Sequence, residues 1–176
     1  MKLFIILILT ITSLTLKAEE ILPLSLTENN TEYQRCDEFT LRYGFIIKVV
    51  DIGWYAPACN ELSLLDSGNK ILRFHYHKDV KADFFKESAE EYFILNLETE
   101  AQQQALIEPL KSFNAGYTDI QSGEYFQLVL ANDTNLSLYR NNNLLASTDN
   151  DELARKYFNI WFGKNPVIEK LKSAFR

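Results

Sequence analysis

The sequence predicts an α+β domain, an antiparallel β-sheet with helices layered on one face. Three observations carry that expectation. Segments such as "FTLRYGFIIKVVDIGWYA", "ILRFHYH", "EYFQLVLA", "NLSLYR" and "LLAS" are strand-like, and "ILRFHYH" has the clean two-residue alternation of a half-buried strand. "KADFFKESAEEYFILNL", "EAQQQALIEPLKSFNAG" and "ELARKYFNIWF" switch to helical spacing. The resulting order, β-β-β-α-α-β-β-β-α-α, groups strands with strands and helices with helices, the pattern of an α+β domain.

Taken in order, the chain starts with Met1-Lys2, an unbroken run "LFIILILTITSLTL" and then "KAEE". A positive start, a short apolar core and a small residue before a polar stretch describe a secretory signal peptide over residues 1–18, cleaved after Ala18. The alternative, an uncleaved anchor, has a run shorter than the ~20 residues of a spanning helix. No cysteine follows at a position for lipid attachment, and no later segment is long and apolar enough to span a membrane. Residues 19–35 read as a polar N-terminal arm, and residues 36–176 as the domain, which is exported to the periplasm or secreted.

Export accounts for the two cysteines, since an even count in a secreted chain reads as a disulfide. Strands over residues 38–44 and 47–56, turning near Phe45-Ile46, place Cys36 and Cys59 almost symmetrically about the turn. Their bridge closes a loop worth ~3 kcal/mol in the chain-entropy model. "LLDSGNK" is a turn. In the next strand Leu72, Phe74 and Tyr76 point one way, and Arg73, His75 and His77 the other. The first helix sets Phe85, Ala89, Tyr92, Phe93 and Asn96 or Leu97 along one side. The second is expected to kink or restart at Pro109, which lacks the N–H of the ladder. Asp149 or Asn150 caps a later helix, Gly163 ends it, and Asn165-Pro166 is expected to start another.

With a net charge of −6 and no basic cluster, the chain is a poor partner for nucleic acid or an anionic membrane surface. Generic catalytic motifs are absent: there is no phosphate-cradling glycine loop, no G-x-S-x-G elbow and no H-E-x-x-H. His75 and His77 could share a metal, but no carboxylate is fixed beside them by spacing, so a polar strand face toward solvent is the reading and no metal or cofactor is expected. "KESAEEY" offers paired carboxylates and reads as a solvated helix face. Asn29, Asn132 and Asn135 each begin an N-x-S/T pattern, relevant only in a glycosylating host.

"IIKVVDIGWYAPA", "FHYHKDVKADFF" and "NIWFGKNPVIEKLKSAF", in this order, resemble landmarks of the chalcone isomerase-like family, above all its C-terminal G-x-x-P-V-x-x-x-L-K. The resemblance spans residues 37–176 and is nearest to the small exported bacterial branch. It implies an open-faced sandwich, a large antiparallel sheet layered by helices. It also allows the family chemistry to be tested position by position. The threonine that the enzymes carry on the second hairpin strand falls on Val50. The polar residues of their long helix fall on Phe85, Ser88 and Tyr92, and a threonine of the last conserved helix falls on Ile160. Ring closure needs a polarised carbonyl and a stabilised phenolate, which valine, phenylalanine and isoleucine cannot provide. No isomerase activity is expected, although a diverged isomerase or lyase site is one alternative.

Arg42 resembles the family arginine, which non-catalytic members use with a tyrosine to hold a fatty-acid carboxylate. Arg42 either enters the cleft as that anchor or alternates outward into solvent, and one strand pattern leaves both open. The resemblance implies a cleft walled by Val50, Trp54, Phe85, Tyr92, Phe93 and Trp161, with Tyr43 or Tyr55 as a second hydrogen-bond donor. The expected function is non-catalytic binding of a small apolar or fatty-acid-like carboxylate. A protein-interaction module with a filled cleft is the other alternative.

Overall fold

The computed structural model describes residues 21–59, 64–65 and 68–175, so the leader expected over residues 1–18 lies outside it. One seven-stranded sheet runs through the chain as a meander, each strand antiparallel to its sequence neighbour. The strands are β1 (Ser25–Glu28), β2 (Thr31–Tyr43), β3 (Ile47–Ala56), β4 (Lys70–Tyr76), β5 (Tyr125–Ala131), β6 (Asn135–Arg140) and β7 (Asn143–Thr148). Their tight turns use residues that tolerate positive φ: Asn29 and Asn30, Gly44, Asn132 and Asp133, and Asn141.

Register sorts the side chains onto two faces. Val50, Ile52 and Trp54 of β3 pair with Tyr76, Phe74 and Leu72 of β4, and the last two pair on with Phe126 and Leu128 of β5. These side chains form the inner face and the main core. The alternate positions leave the other side, where Tyr33, Tyr55, Ile71 and Val129 make a second, smaller apolar cluster.

Helices α1 (Ala82–Leu95) and α2 (Glu100–Asn114) lie between β4 and β5 in sequence; α3 (Asp151–Tyr157), α4 (Asn159–Phe162) and α5 (Glu169–Ala174) follow β7. Helix α1 buries Ala89 and Phe93 with Phe85, Tyr92 and Leu97 packed alongside, the stripe its spacing predicts. Contacts of α2 with β7, α3 with β6 and α5 with β2 spread the helical layer across the inner face. The Thr99 hydroxyl accepts from the Gln102 N–H and the Asn150 side chain from the Leu153 N–H, capping α2 and α3. Among the described residues no helix is long and apolar enough to cross a membrane.

Cys36 and Cys59 form the expected disulfide, with Cα atoms 5.1 Å apart. Three expectations need correction. Helix α2 runs through Pro109 without a break; the carbonyl that loses its partner belongs to Ala105, on the exposed side where solvent reaches it. Asn165-Pro166 does not start α5, which begins at Glu169. Asn165 is instead clasped to the end of α1. Its N–H donates to Asn96 Oδ1 at 2.9 Å and its side chain to the Leu95 carbonyl at 2.8 Å, while Asn96 donates to the Asn165 carbonyl at 2.9 Å. The polar N-terminal stretch is no loose arm from Ser25 onward: β1 and the first half of β2 belong to the sheet, paired from Ser25↔Gln34 to Glu28↔Thr31.

Candidate functional site: an apolar cavity between sheet and helices

A cavity of about 270 Å³ lies between the inner face of β3–β5 and helices α1 and α4. Its floor is Val50, Phe74, Tyr76, Phe126 and Leu128, and its roof is Phe85, Ser88 and Ala89 of α1 with Ile160 and Trp161 of α4. Half-buried Leu41, Val49, Val167 and Ile168 and the exposed Phe84 mark the side toward solvent. The space survives because small side chains stand at 88 and 89 while stiff rings hold the walls. Phe85 stacks on Tyr117 at 5.6 Å between centroids and meets Phe126 edge-on at 5.1 Å; Trp161 packs on Phe74 at 5.1 Å.

Among the described residues the lining carries no lysine, arginine, histidine or carboxylate; its polar groups are the hydroxyls of Ser88, Tyr76 and Tyr117 and the indole N–H of Trp161. Tyr117 and Tyr157 share a hydrogen bond at 3.2 Å, and Tyr157 donates onward to Asn114 Oδ1 at 2.7 Å. Burial pushes the Tyr117 phenol up to about 12 against the opposing effect of the hydrogen bond it shares with Tyr157. Burial, with Tyr117 nearby, also raises Tyr76 and Tyr157 well above the ordinary tyrosine value. These phenols are therefore neutral near pH 7. They can donate a hydrogen bond to an oxygen but cannot act as phenolate bases.

Of the residues predicted for the site, the structure brings Val50, Phe85 and Trp161 to the cavity wall, together with Ser88 and Ile160. Trp54 and Phe93 are on the helical side but sealed in the core, and Tyr92 is half-buried beside it. Arg42 lies outside the cavity. Leu41 pairs with Val50 on the inner face, so alternation turns Arg42 away, opposite Lys48, where it is exposed. Tyr43, at the strand end, is 77% exposed, and Tyr55 is fully buried in the outer cluster. Tyr76 and Tyr117 are the polar lining residues that the sequence reading left out. The alternation of β4 already put Tyr76 on the inner face with Leu72 and Phe74. Tyr117 follows α2 in a loop, where periodicity gives no signal.

No curated protein matches the chain. Among solved structures, the Arabidopsis thaliana fatty-acid binding protein AtFAP1 is similar, with a TM-score of 0.59 at 13% identity, covering 86% of this chain and 95% of that one. At that identity the likeness is one of fold. The family model described as chalcone isomerase-like matches residues 30–175, from the start of β2 to the end of α5, and so the chain belongs to the chalcone isomerase-like family.

Proposed function

We propose that this protein is a non-catalytic binder of a small apolar or fatty-acid-like molecule, seated in the cavity between sheet and helices. The observation that carries this reading is an apolar space of about 270 Å³ left open within a closely packed aromatic core. Such a volume is just below the ~300–1,000 Å³ of drug-sized pockets, which favours a short or medium chain. Each methylene that leaves water adds about 0.8 kcal/mol, or about fourfold in affinity. With no cation among the described lining residues, a buried carboxylate would be uncompensated. The apolar tail therefore enters while an ionised head stays at the solvent side, or the head is neutral and accepts from Tyr76 or Ser88. That a structural neighbour is a fatty-acid binding protein agrees with the ligand class. Val50, Phe85 and Ile160 stand on the wall where the resemblance placed polar groups of the family enzymes, which agrees with a binder more than with ring closure. The leader and the disulfide support an exported, oxidising setting.

Displacement of a fluorescent fatty acid by saturated acids of increasing length tests the reading. Affinity should rise about fourfold per methylene and level off once the chain outgrows the cavity. No displacement at any length, or clear acceleration of chalcone cyclisation by the purified protein, would overturn it. A second reading, a protein-interaction module, is favoured by the tip of the β2–β3 hairpin, where Phe45 and Ile46 are 99% and 86% exposed. In that case the protein displaces no fatty acid, and Phe45→Ser with Ile46→Ser abolishes the partner contact.

A further inference from the structure

On the sheet face opposite the cavity, Asp51 of β3 pairs directly with His75 of β4, and His77 follows two residues later on the same face. The ligating atoms of the three side chains all lie within 4.8 Å of one another. His77 Nε2 is 2.6 Å from Asp51 Oδ2, and Thr40 donates its hydroxyl to Asp51 Oδ1 at 2.5 Å. Lys48 Nζ also reaches Oδ2, at 3.5 Å. His75 is only 9% exposed; its ring has a backbone hydrogen bond with Gly123, and its Nδ1 is left without a partner. A plain Asp51–His77 ion pair accounts for two of the three groups. It leaves the buried His75 nitrogen unsatisfied, a kind of defect that folded proteins rarely retain.

We propose that Asp51, His75 and His77 form a three-ligand site for a divalent transition-metal ion of the zinc or cobalt type, with its remaining coordination positions open. Two imidazoles and one carboxylate suit such ions, whereas calcium and magnesium prefer all-oxygen sites. Thr40 supplies the outer support, fixing one carboxylate oxygen and leaving Oδ2 for the ion. Two surface depressions give access: one of about 310 Å³ reaches Asp51 beside Thr40 and Lys48, and another of about 340 Å³ reaches His75. Metal–ligand bonds of roughly 2.0–2.2 Å require His77 Nε2 and Asp51 Oδ2, 2.6 Å apart, to separate so that the ion replaces their hydrogen bond. His77, whose side chain is 23% exposed, has the freedom to move.

Two cations oppose the ion and limit its affinity. Arg73, one alternation along β4, is held by Gln127 and lies over the Tyr125 ring, 3.9 Å from its centroid. Lys48 competes for Asp51 directly, and because its side chain is 43% exposed it can yield. Lys48 thereby separates a metal site from a merely structural ion pair, since its removal weakens the latter and strengthens the former.

The test uses tag-free protein titrated with Co²⁺ and followed by visible absorption, with Zn²⁺ as competitor and melting temperature as a second readout. The expected result is one equivalent of Co²⁺, displaced by Zn²⁺, and a rise in melting temperature with Zn²⁺. His75→Gln and His77→Gln should each weaken binding at least tenfold, and Lys48→Met should tighten it several-fold. Absence of both the absorption change and the Zn²⁺-dependent rise in the folded wild-type protein overturns the proposal. So does affinity that is unchanged in Lys48→Met and His77→Gln alike.

Discussion

Ala89→Leu tests whether the cavity is real space or a packed seam. Ala89 is 5% exposed and lines the cavity from α1. The substitution adds three carbons, worth at most about 2.4 kcal/mol at ~0.8 kcal/mol per buried methylene. Fixing the leucine rotamers returns about 0.5–1 kcal/mol, so a net gain of about 1–2 kcal/mol is expected. In a core without room, the same change overpacks and costs about 1–3 kcal/mol. The sign therefore decides. Urea unfolding should show a higher midpoint with unchanged m, and the melting temperature should rise by about 2–4 °C per kcal/mol for a chain of this size. Fatty-acid displacement should weaken in the same variant, because the added atoms take ligand space. A lower midpoint at constant m refutes the cavity, and a higher one with undiminished binding puts the ligand elsewhere.

Three further outcomes follow from the packing. Tyr157→Phe strands Asn114 Oδ1 and removes the partner of the Tyr117 hydroxyl in a fully buried cluster; equilibrium unfolding should show a loss of about 1–3 kcal/mol. Replacing Cys36 and Cys59 together by serine opens the bridge and should cost about 3 kcal/mol, read as a lower urea midpoint than that of the oxidised protein. Burial raises the Glu124 carboxyl, but the Gln121 N–H and the hydrogen bonds and charge of Arg140, at 2.8 Å to both oxygens, outweigh it and hold it below the ordinary value. A depressed carboxyl contributes stability above its unfolded value, about 4.3, and loses it as pH falls from there through the folded value. Glu124→Gln should flatten this part of the acid limb in a series of melting temperatures, whereas an unaltered slope below pH 4 would show that Glu124 contributes nothing to it.

The elements were legible because their signals are local. Alternation in "ILRFHYH" assigned the two faces of β4 correctly, and the stripe from Phe85 to Leu97 gave α1 its buried side. The cavity was half legible. Val50, Phe85 and Trp161 are apolar residues on elements whose inner sides could be read, but Arg42, Tyr43 and Tyr55 needed the register. Register is interrupted twice along β2, between Arg35 and Asp37 and between Leu41 and Arg42. The first interruption exchanges faces: Tyr33 belongs to the outer cluster, whereas Phe39 and Leu41, of the same parity, pack on the inner core. A bulge of one extra residue has no signature in composition, yet it reverses every assignment beyond it. The metal constellation was hidden for a related reason. His75 and His77 stood out in the sequence, but Asp51 is 24 positions from His75 and joins it only through the β3–β4 pairing.

The N-terminal stretch changes the character of the whole outer face. A sheet with helices on one side commonly leaves its other side polar and wet. Here the solvent-facing side expected for Arg73 and His75 is covered instead: Asp51, Arg73 and Gln127 are polar but only 6%, 4% and 2% exposed. Arg35 donates to the Leu22 carbonyl, drawing residues before β1 back onto the sheet, and Leu22 is buried. Glu28 at the end of β1 accepts from Gln127 at 2.8 Å, and Gln127 in turn accepts from Arg73 at 3.0 Å. A desolvated polar group is costly unless paired, so each of these bonds becomes a condition of the fold. The polar sequence "TENNTE" reads as solvent-loving when taken alone. In the folded chain its last glutamate extends β2 and its first caps a buried relay running Glu28–Gln127–Arg73, one alternation from His75. Arg73 is thereby held beneath the surface beside His75, which is 9% exposed, while the helices keep the opposite face of β4 apolar for the cavity.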